Sequence, residues 1–550
     1  MAETRAIKGY EMLANGQRAR LLIGIALAAA VALLAALIGL LIQRPLWFDE
    51  TMAMTNYPAT SLRALVAPLP YYSQAAPALF NIICSAIVAL PPAIGRGALF
   101  LLVAGGLSAV TYATYRRWWA LAVVVVFCLG SFSLVYYATA FKYYGVEILG
   151  TGVIIAWFLG KRDGRPLQAR DAAVLILGML CGISTLVIAV IALSLHLLPT
   201  FRARQTPSTS EWLVILAVLF VAALSYLAVR FATSIQLANF PDVYAHRGLS
   251  RAVKYVGSIR RLLSDTTLPL VAVGIVAALL DRSRFSVRLL MLAATAALVF
   301  GVLCVAGLYP ATTDRHVAWA DGFAIFLFAN AVAALTQPCD AEIRGWRRPL
   351  AIALILAVLL AGAPNLQRLA RRDTGALEDN DKLVAWLLQQ PPHTIAMWIG
   401  TQPMVQYYRR FHPVLDKHRY LGWRDPSSLP VPRAFVDPRF LAQPYAAIGQ
   451  VVEAHRDDQG SYNHDLVYRI RNDYRAPART LIAQARQAGP FYVVASHLDY
   501  DATFTESLVI RDALLLALRE NHCTSRMVLK VKGGFVLQVR CPNSPDRLPA

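Results

Sequence analysis

The stretch RPLWFDETMAM (44–54) sets an acidic pair, Asp49-Glu50, against Trp47 and Phe48, just after an apolar run from Leu21 to Ile42. A carboxylate partly desolvated by aromatic rings has its charged form disfavoured. Its pKa then rises toward that of a general base able to take a hydroxyl proton. The competing reading is a solvated loop carboxylate beside aromatics of an interfacial belt. A second cluster, YYATAFKYYGVE (136–147), surrounds Lys142 with tyrosines. A lysine at membrane depth is expensive unless it meets an anion or water, and snorkelling to the interface is the alternative. Glu147 lies about one and a half helical turns further on and is a candidate partner for Lys142.

A third cluster, YPATTDRHVAW (309–319), brings Arg315 and His316 to the start of another apolar run. Guanidinium and helix-start donors match phosphate oxygens; an interfacial anchor, or pairing with Asp314, is the plainer reading. Tyr244, His246 and Arg247 in FPDVYAHRG form a weaker group. In SHLDYD (496–501), His497, Asp499 and Asp501 invite a metal reading, but the spacing fits no standard loop and suits a solvated turn after a strand. Nucleophile patterns, Gly-rich phosphate loops and HExxH are absent, which argues against nucleotide-fed chemistry on a cytoplasmic face.

The elements that must position these groups are membrane helices. The 550 residues are 57% hydrophobic, with a mean hydropathy of +0.48, and several apolar runs exceed what about 30 Å of hydrocarbon requires. The first run is too long for a signal-peptide core and no small-residue cleavage pattern follows, so it is expected to stay as a span. A formal charge of +20 suits basic cytoplasmic loops and an anionic substrate. Nucleic acid is not indicated, because the basic residues are scattered and no binding signature occurs.

Lys and Arg placement puts residues 1–20, 115–119, 161–170, 201–204, 281–288 and 342–348 inside, and loops 44–95, 137–144, 232–264 and 308–317 outside. Consistency requires 172–199 to be a hairpin of two short helices broken near GIST (182–185). It also requires 76–94, which ends in Pro91-Pro92, to lie in or dip into the outer interface. About eleven spans then result across 21–365, leaving the tail, 366–550, outside.

That tail alternates polar helical stretches with strand-like runs, TIAMWIG (394–400) and FYVVAS (491–496), and reads as an extracytoplasmic α/β domain. Of seven cysteines, Cys523 and Cys541 flank two alternating runs joined by Gly533-Gly534. These runs predict a β-hairpin, and a disulfide between its flanks in an oxidising compartment. No cysteine pair has zinc-ligand spacing.

Taken together, the pattern resembles the GT-C superfamily of membrane glycosyltransferases. The likeness is to polyprenyl-phosphate-sugar-dependent members, such as the protein mannosyltransferases and the lipid A aminoarabinose transferase family. LWFDE (46–50) matches their first-loop acidic residue after an aromatic, and PLPYYSQAAP (68–77) matches the segment that follows. YATAFKYY (137–144) matches a tyrosine-rich motif at Tyr137, Lys142 and Tyr144 and departs at Ala140, where that pattern has Glu. Arg315-His316 stands where relatives carry Arg-Tyr.

The resemblance implies a GT-C-like fold around an outward-facing cavity, in a bacterial inner membrane with the active side periplasmic. It implies an inverting glycosyltransferase, passing a hexose or pentose from a polyprenyl-phosphate donor to a hydroxyl of a glycan, lipid or protein. Asp49 is then the base with Glu50 in support. Lys142 and Arg315, with His316, form the phosphate clamp, and Gln74, Tyr137 and Tyr144 line the pocket. No cofactor is required, although Asp49 and Glu50 could hold a divalent metal. The rival classes are a transporter or flippase for a lipid-linked saccharide, against which no inverted repeat is visible, and a membrane-anchored scaffold.

Overall fold

The computed structural model describes residues 24–57, 76–161, 165–232, 248–264, 267–309, 313–336, 344–398, 401–422, 475–497 and 505–542. Gln74, most of the 68–77 segment, Tyr244, His246, Arg247, Asp499 and Asp501 lie outside these residues.

Long apolar runs become helices because a lipid-facing backbone must satisfy its own polar groups. Among the described residues, six helices are long and apolar enough to cross a membrane: Gly24–Ile42, Pro92–Tyr115, Ile183–Arg202, Thr209–Arg230, Arg284–Val305 and Trp346–Arg371. The number rises to eight if two bent pairs each count as a span, Trp119–Gly130 with Phe132–Ala138 and Leu249–Leu263 with Leu268–Asp281. The expectation was about eleven. Of the segments expected to span, Tyr144–Gly160, Ala320–Thr336 and the first helix of the 172–199 hairpin, Ala169–Met179, are shorter than that criterion.

The breaks have local causes. At 98°, the first bent pair turns at Ser131, whose extended backbone ends one helix while its hydroxyl accepts from Leu134 N to cap the next. The Asn365 amide donates to the Leu129 carbonyl at 2.6 Å, satisfying an acceptor at the break. The expected break near GIST is present: Ala169–Met179 ends and Ile183–Arg202 begins after an extended Gly182, but only the first of the two helices is short, the second having 20 residues. Here Glu147 differs from expectation. Its carboxylate accepts from Ser184 N at 2.8 Å, at the start of that second helix, and does not pair with Lys142. The Ala78–Ile87 helix has ten residues, about 15 Å, too short to cross and consistent with an interfacial position.

The Arg344–Arg371 helix leaves the apolar region and continues directly into the tail. There a five-stranded sheet has the order β2-β1-β3-β5-β4. β1 (Thr394–Met397) pairs in parallel with β2 (Arg419–Leu421) and β3 (Phe491–Ser496). β5 (Gly534–Arg540) runs antiparallel to β3 and to β4 (Thr524–Val531). Alternation assigns the two faces to different cores. Val494 and Val536 join a core continuous with the membrane helices through Leu383, Met404 and Tyr407. Val493, Leu537 and Val539 pack against helices Arg475–Arg486 and Thr505–Glu520 through Ala478, Ile482 and Leu514.

The hairpin turns at Lys532-Gly533, with Gly533 at φ 75°, and Cys523 and Cys541 are joined by a disulfide 18 residues apart in sequence. Replacing both with serine frees the hairpin ends in the unfolded chain. A destabilisation of about 3 kcal/mol is expected for a loop of this length. The measurement is the Tm of the purified protein, and an unchanged Tm would show that the sheet does not need the link.

Candidate active site

The helix Phe48–Met54 follows the first span after a short extended segment, and its first turn carries the acidic pair. Adjacent positions on a helix point about 100° apart, so the two carboxylates diverge. Glu50 turns inward and is fully buried. One of its oxygens meets the Arg96 guanidinium at 2.6 Å, and the other meets Arg44 at 3.4 Å. The backbone N–H of Phe141 also donates to Glu50, at 2.9 Å. Arg44 in turn lies over the Tyr136 ring at 4.0 Å and donates to the Thr139 hydroxyl. Burial would push the Glu50 carboxyl up, but Arg96, Arg44 and the backbone donors outweigh it and hold it ionised. Glu50 therefore ties the 139–143 loop to the acidic helix and does not present itself to a substrate.

Asp49 turns the other way and keeps 22% of its side chain exposed. Its Oδ2 receives Arg315 at 2.9 Å and stands 3.8 Å from the Lys142 ammonium. Arg315 also lies 5.7 Å from the Trp47 ring centroid. The expectation of a raised Asp49 pKa is corrected here. Burial pushes it up, but Lys142, Arg315 and His497 together outweigh burial and hold the carboxyl below its usual value.

Arg315 and Lys142 line a cavity of about 630 Å³, within the usual size range of small-molecule sites. Trp47, Phe132, Tyr136, Tyr137 and Tyr144 form an aromatic wall; the Tyr137 and Tyr144 rings meet edge-on at 5.5 Å. Their closeness requires Gly145, where a Cβ would stand 2.7 Å from the Tyr137 carbonyl oxygen. The tail lines the cavity as well, with Arg368 near the end of the long helix and Lys532 at the hairpin turn. Arg368 covers the Phe132 ring at 3.9 Å and pairs with Asp373 at 2.9 Å.

Sequence-predicted Lys142, Arg315, Tyr137 and Tyr144 are thus brought to one cavity, with Asp49 against its two cations. His316 differs. It is not a lining residue; its Nδ1 lies 3.2 Å from the Thr313 hydroxyl. Burial and the charges of Arg315 and Arg251 push its pKa down to about 3, so it is neutral and adds no charge to an anion clamp. Asp314 pairs with Arg261 at 2.8 Å, not with Arg315.

No protein-family model matches the chain, and no curated protein matches it in sequence. Solved structures are similar. ArnT from Cupriavidus metallidurans in the apo state has a TM-score of 0.46 at 12% identity, covering 94% of this chain and 97% of that one. The same protein bound to undecaprenyl phosphate gives 0.48 at 11%, with the same coverage. The archaeal oligosaccharyltransferase AglB from Archaeoglobus fulgidus, in complex with an inhibitory peptide and a dolichol-phosphate, gives 0.42 at 12%, covering 94% and 75%.

A divalent metal between Asp49 and Glu50 does not fit the donors. The two carboxylates diverge, and both Glu50 oxygens are engaged by arginines. Among the described residues, no cluster of three or more His, Cys, Asp or Glu side chains could hold a metal ion.

Sequence reasoning missed Arg44, Arg96, Arg368 and Lys532, and read His497 as a turn residue. Arg96 had a readable signal, a lone arginine in the apolar stretch PPAIGRGALF, since such a charge needs a buried partner.

Proposed function

We propose that the protein is a membrane glycosyltransferase that passes a sugar from a polyprenyl-phosphate donor to a hydroxyl acceptor with inversion. The observation that carries this reading is Asp49 held against Arg315 and Lys142, two cations that line an aromatic-walled cavity just beyond the first span. The sequence likeness to polyprenyl-phosphate-sugar enzymes, in LWFDE and YATAFKYY, supports the substrate class.

The chemistry follows from the charges. A phosphate entering the cavity competes with Asp49 for both cations. As Lys142 and Arg315 turn to the phosphate, the carboxylate loses the partners that held its pKa down and becomes a stronger base. It takes the acceptor hydroxyl proton while the acceptor oxygen bonds to the anomeric carbon. The bond from that carbon to the phosphate oxygen breaks on the opposite face, and the leaving lipid phosphate keeps the electron pair. Its added charge is met by preorganised cations, the larger share of stabilisation in sites of this type.

We place the site and tail on the extracytoplasmic side of a bacterial inner membrane, supported by the tail disulfide and the basic loops. The acceptor class follows from the hydroxyl chemistry: a glycan, a lipid or a protein side chain. Hexose and pentose donors both remain candidates for the assay.

The deciding experiment measures transfer from radiolabelled polyprenyl-phosphate sugars in proteoliposomes, native against Asp49→Asn. A transporter or flippase moves lipid without needing a base, and would leave that substitution silent in a transbilayer assay.

The pH dependence is a separate test. Asp49's depressed pKa keeps it ionised as pH falls, so the acid limb of kcat/KM, which reports the free enzyme, is expected below the ordinary aspartate value of about 3.9. The limb of kcat, which reports the donor complex, is expected at higher pH. Coincident limbs would contradict the sharing of cations between Asp49 and phosphate.

A further inference from the structure

The two residues flanking Asp49 are pinned from opposite sides. Glu50 is held by Arg44 and Arg96 of the membrane region. Phe48 is held by the tail. Its backbone N–H donates to Glu378 Oε2 at 3.1 Å, and its ring stacks on His497 at a centroid distance of 4.2 Å. His497 itself meets Glu378 Oε1 through Nδ1 at 2.7 Å. Glu378 is fully buried, and its Oε2 also accepts from the Asn380 amide, which reaches on to the Leu46 carbonyl. With Oε2 taken by Phe48 N–H and the Asn380 amide, Oε1 is the Glu378 oxygen that faces His497.

The far end of the 48–54 helix is held by the tail as well. Arg410 donates to the Met54 and Thr55 carbonyls, each at 3.0 Å. His497 directly follows strand β3 with φ at 62°, in the left-handed region where glycine is the relaxed choice. A histidine in that backbone conformation is kept by its side-chain contacts rather than by local preference.

We propose that Glu378 and His497 form a clamp laid by the tail on the helix that carries Asp49, making His497 a positioning residue for sugar transfer. This rests on the reading of Asp49 as the base. The clamp fixes Phe48, Phe48 fixes the first turn, and the first turn aims the carboxylate at the acceptor hydroxyl. Small displacements of a base from its line of attack reduce the chemical step far more than they reduce binding. The effect therefore belongs in kcat and not in the donor KM.

The test compares native protein, His497→Gly and His497→Asn in the proteoliposome assay. Glycine relaxes the backbone and removes the ring; asparagine tolerates the left-handed conformation and restores an N–H near the Nδ1 position. The glycine variant is expected to lose about tenfold or more in kcat with donor KM within about twofold, and asparagine to recover to within about threefold of native. A native kcat in the glycine variant overturns the clamp, as does a raised KM at constant kcat, or an asparagine variant as slow as glycine. Should the glycine variant not fold, His497→Leu, which keeps bulk against Phe48 without the donor, decides by the same split. Asp49→Asn run alongside separates the two ideas. If that variant transfers normally the base reading fails; if it is inert while the His497 variants are native, only the clamp fails.

Discussion

Asp49→Asn abolishes measurable transfer while donor binding persists or tightens. Asparagine keeps the size and the possible hydrogen bond to Arg315 but cannot take a proton. Losing a general base alone is worth a factor of about 10²–10⁴. The direction of the binding change is the sharper part. On the proposed reading, Asp49 competes with the donor phosphate for Arg315, now 2.9 Å from it, and for Lys142, now 3.8 Å away. Removing its charge leaves both cations more attractive to an anion, so the donor Kd stays constant or falls. Equilibrium binding of radiolabelled lipid donor to the purified variant gives one answer and transfer gives the other. Transfer at the native rate would reduce Asp49 to a loop charge. Loss of binding together with transfer would make it part of the donor site and not the base.

Glu50→Gln, one residue away, fails for a different reason. The substitution leaves Arg44 and Arg96 facing each other without the carboxylate that compensates them, with Arg96 fully buried. Breaking a buried pair by removing one partner costs about 3–5 kcal/mol. The loop that carries Lys142 should loosen too, because Phe141 N–H loses an ionised acceptor. The expected result is a large fall in Tm together with loss of transfer. Adding Arg96→Met removes one uncompensated charge and should recover part of the stability without recovering transfer. A Tm within a degree or so of native for Glu50→Gln alone would contradict the description of this cluster as a fully desolvated ion network.

The acidic pair was visible in the sequence as a pair, because aromatics and a preceding span marked it. Its division of labour was not, since which carboxylate turns inward depends on Arg96, 46 residues away along the chain. Hydropathy marked the spans, short strand-like apolar runs marked β1 and β3, and alternation marked the hairpin, since these patterns are local. Lys142 was found because charge at membrane depth is unusual, and Arg315 because a guanidinium at a helix start suits phosphate oxygens. Their pairing with Asp49 was hidden, and with it the sign of the Asp49 pKa, because three segments about 90 and 170 residues apart must meet first. His497 was passed over as a turn residue. Its partners, Phe48 and Glu378, share no spacing with it, and its backbone conformation leaves no mark in a sequence. Gln74 lies outside the described residues.

Two helices begin at the cavity, Tyr144–Gly160 at its aromatic wall and Ala320–Thr336 just after Arg315. Each has 17 residues, about 26 Å of rise against about 30 Å of hydrocarbon. Thirteen residues of each are buried, so both lie inside the bundle with other helices and not lipid against them. A core helix can stop short of the hydrocarbon boundary without thinning the bilayer, because packing and not lipid thickness sets its length. Short inner helices beside longer outer ones make a recess, and on the proposed reading a lipid-borne phosphate would meet Lys142 and Arg315 inside that recess.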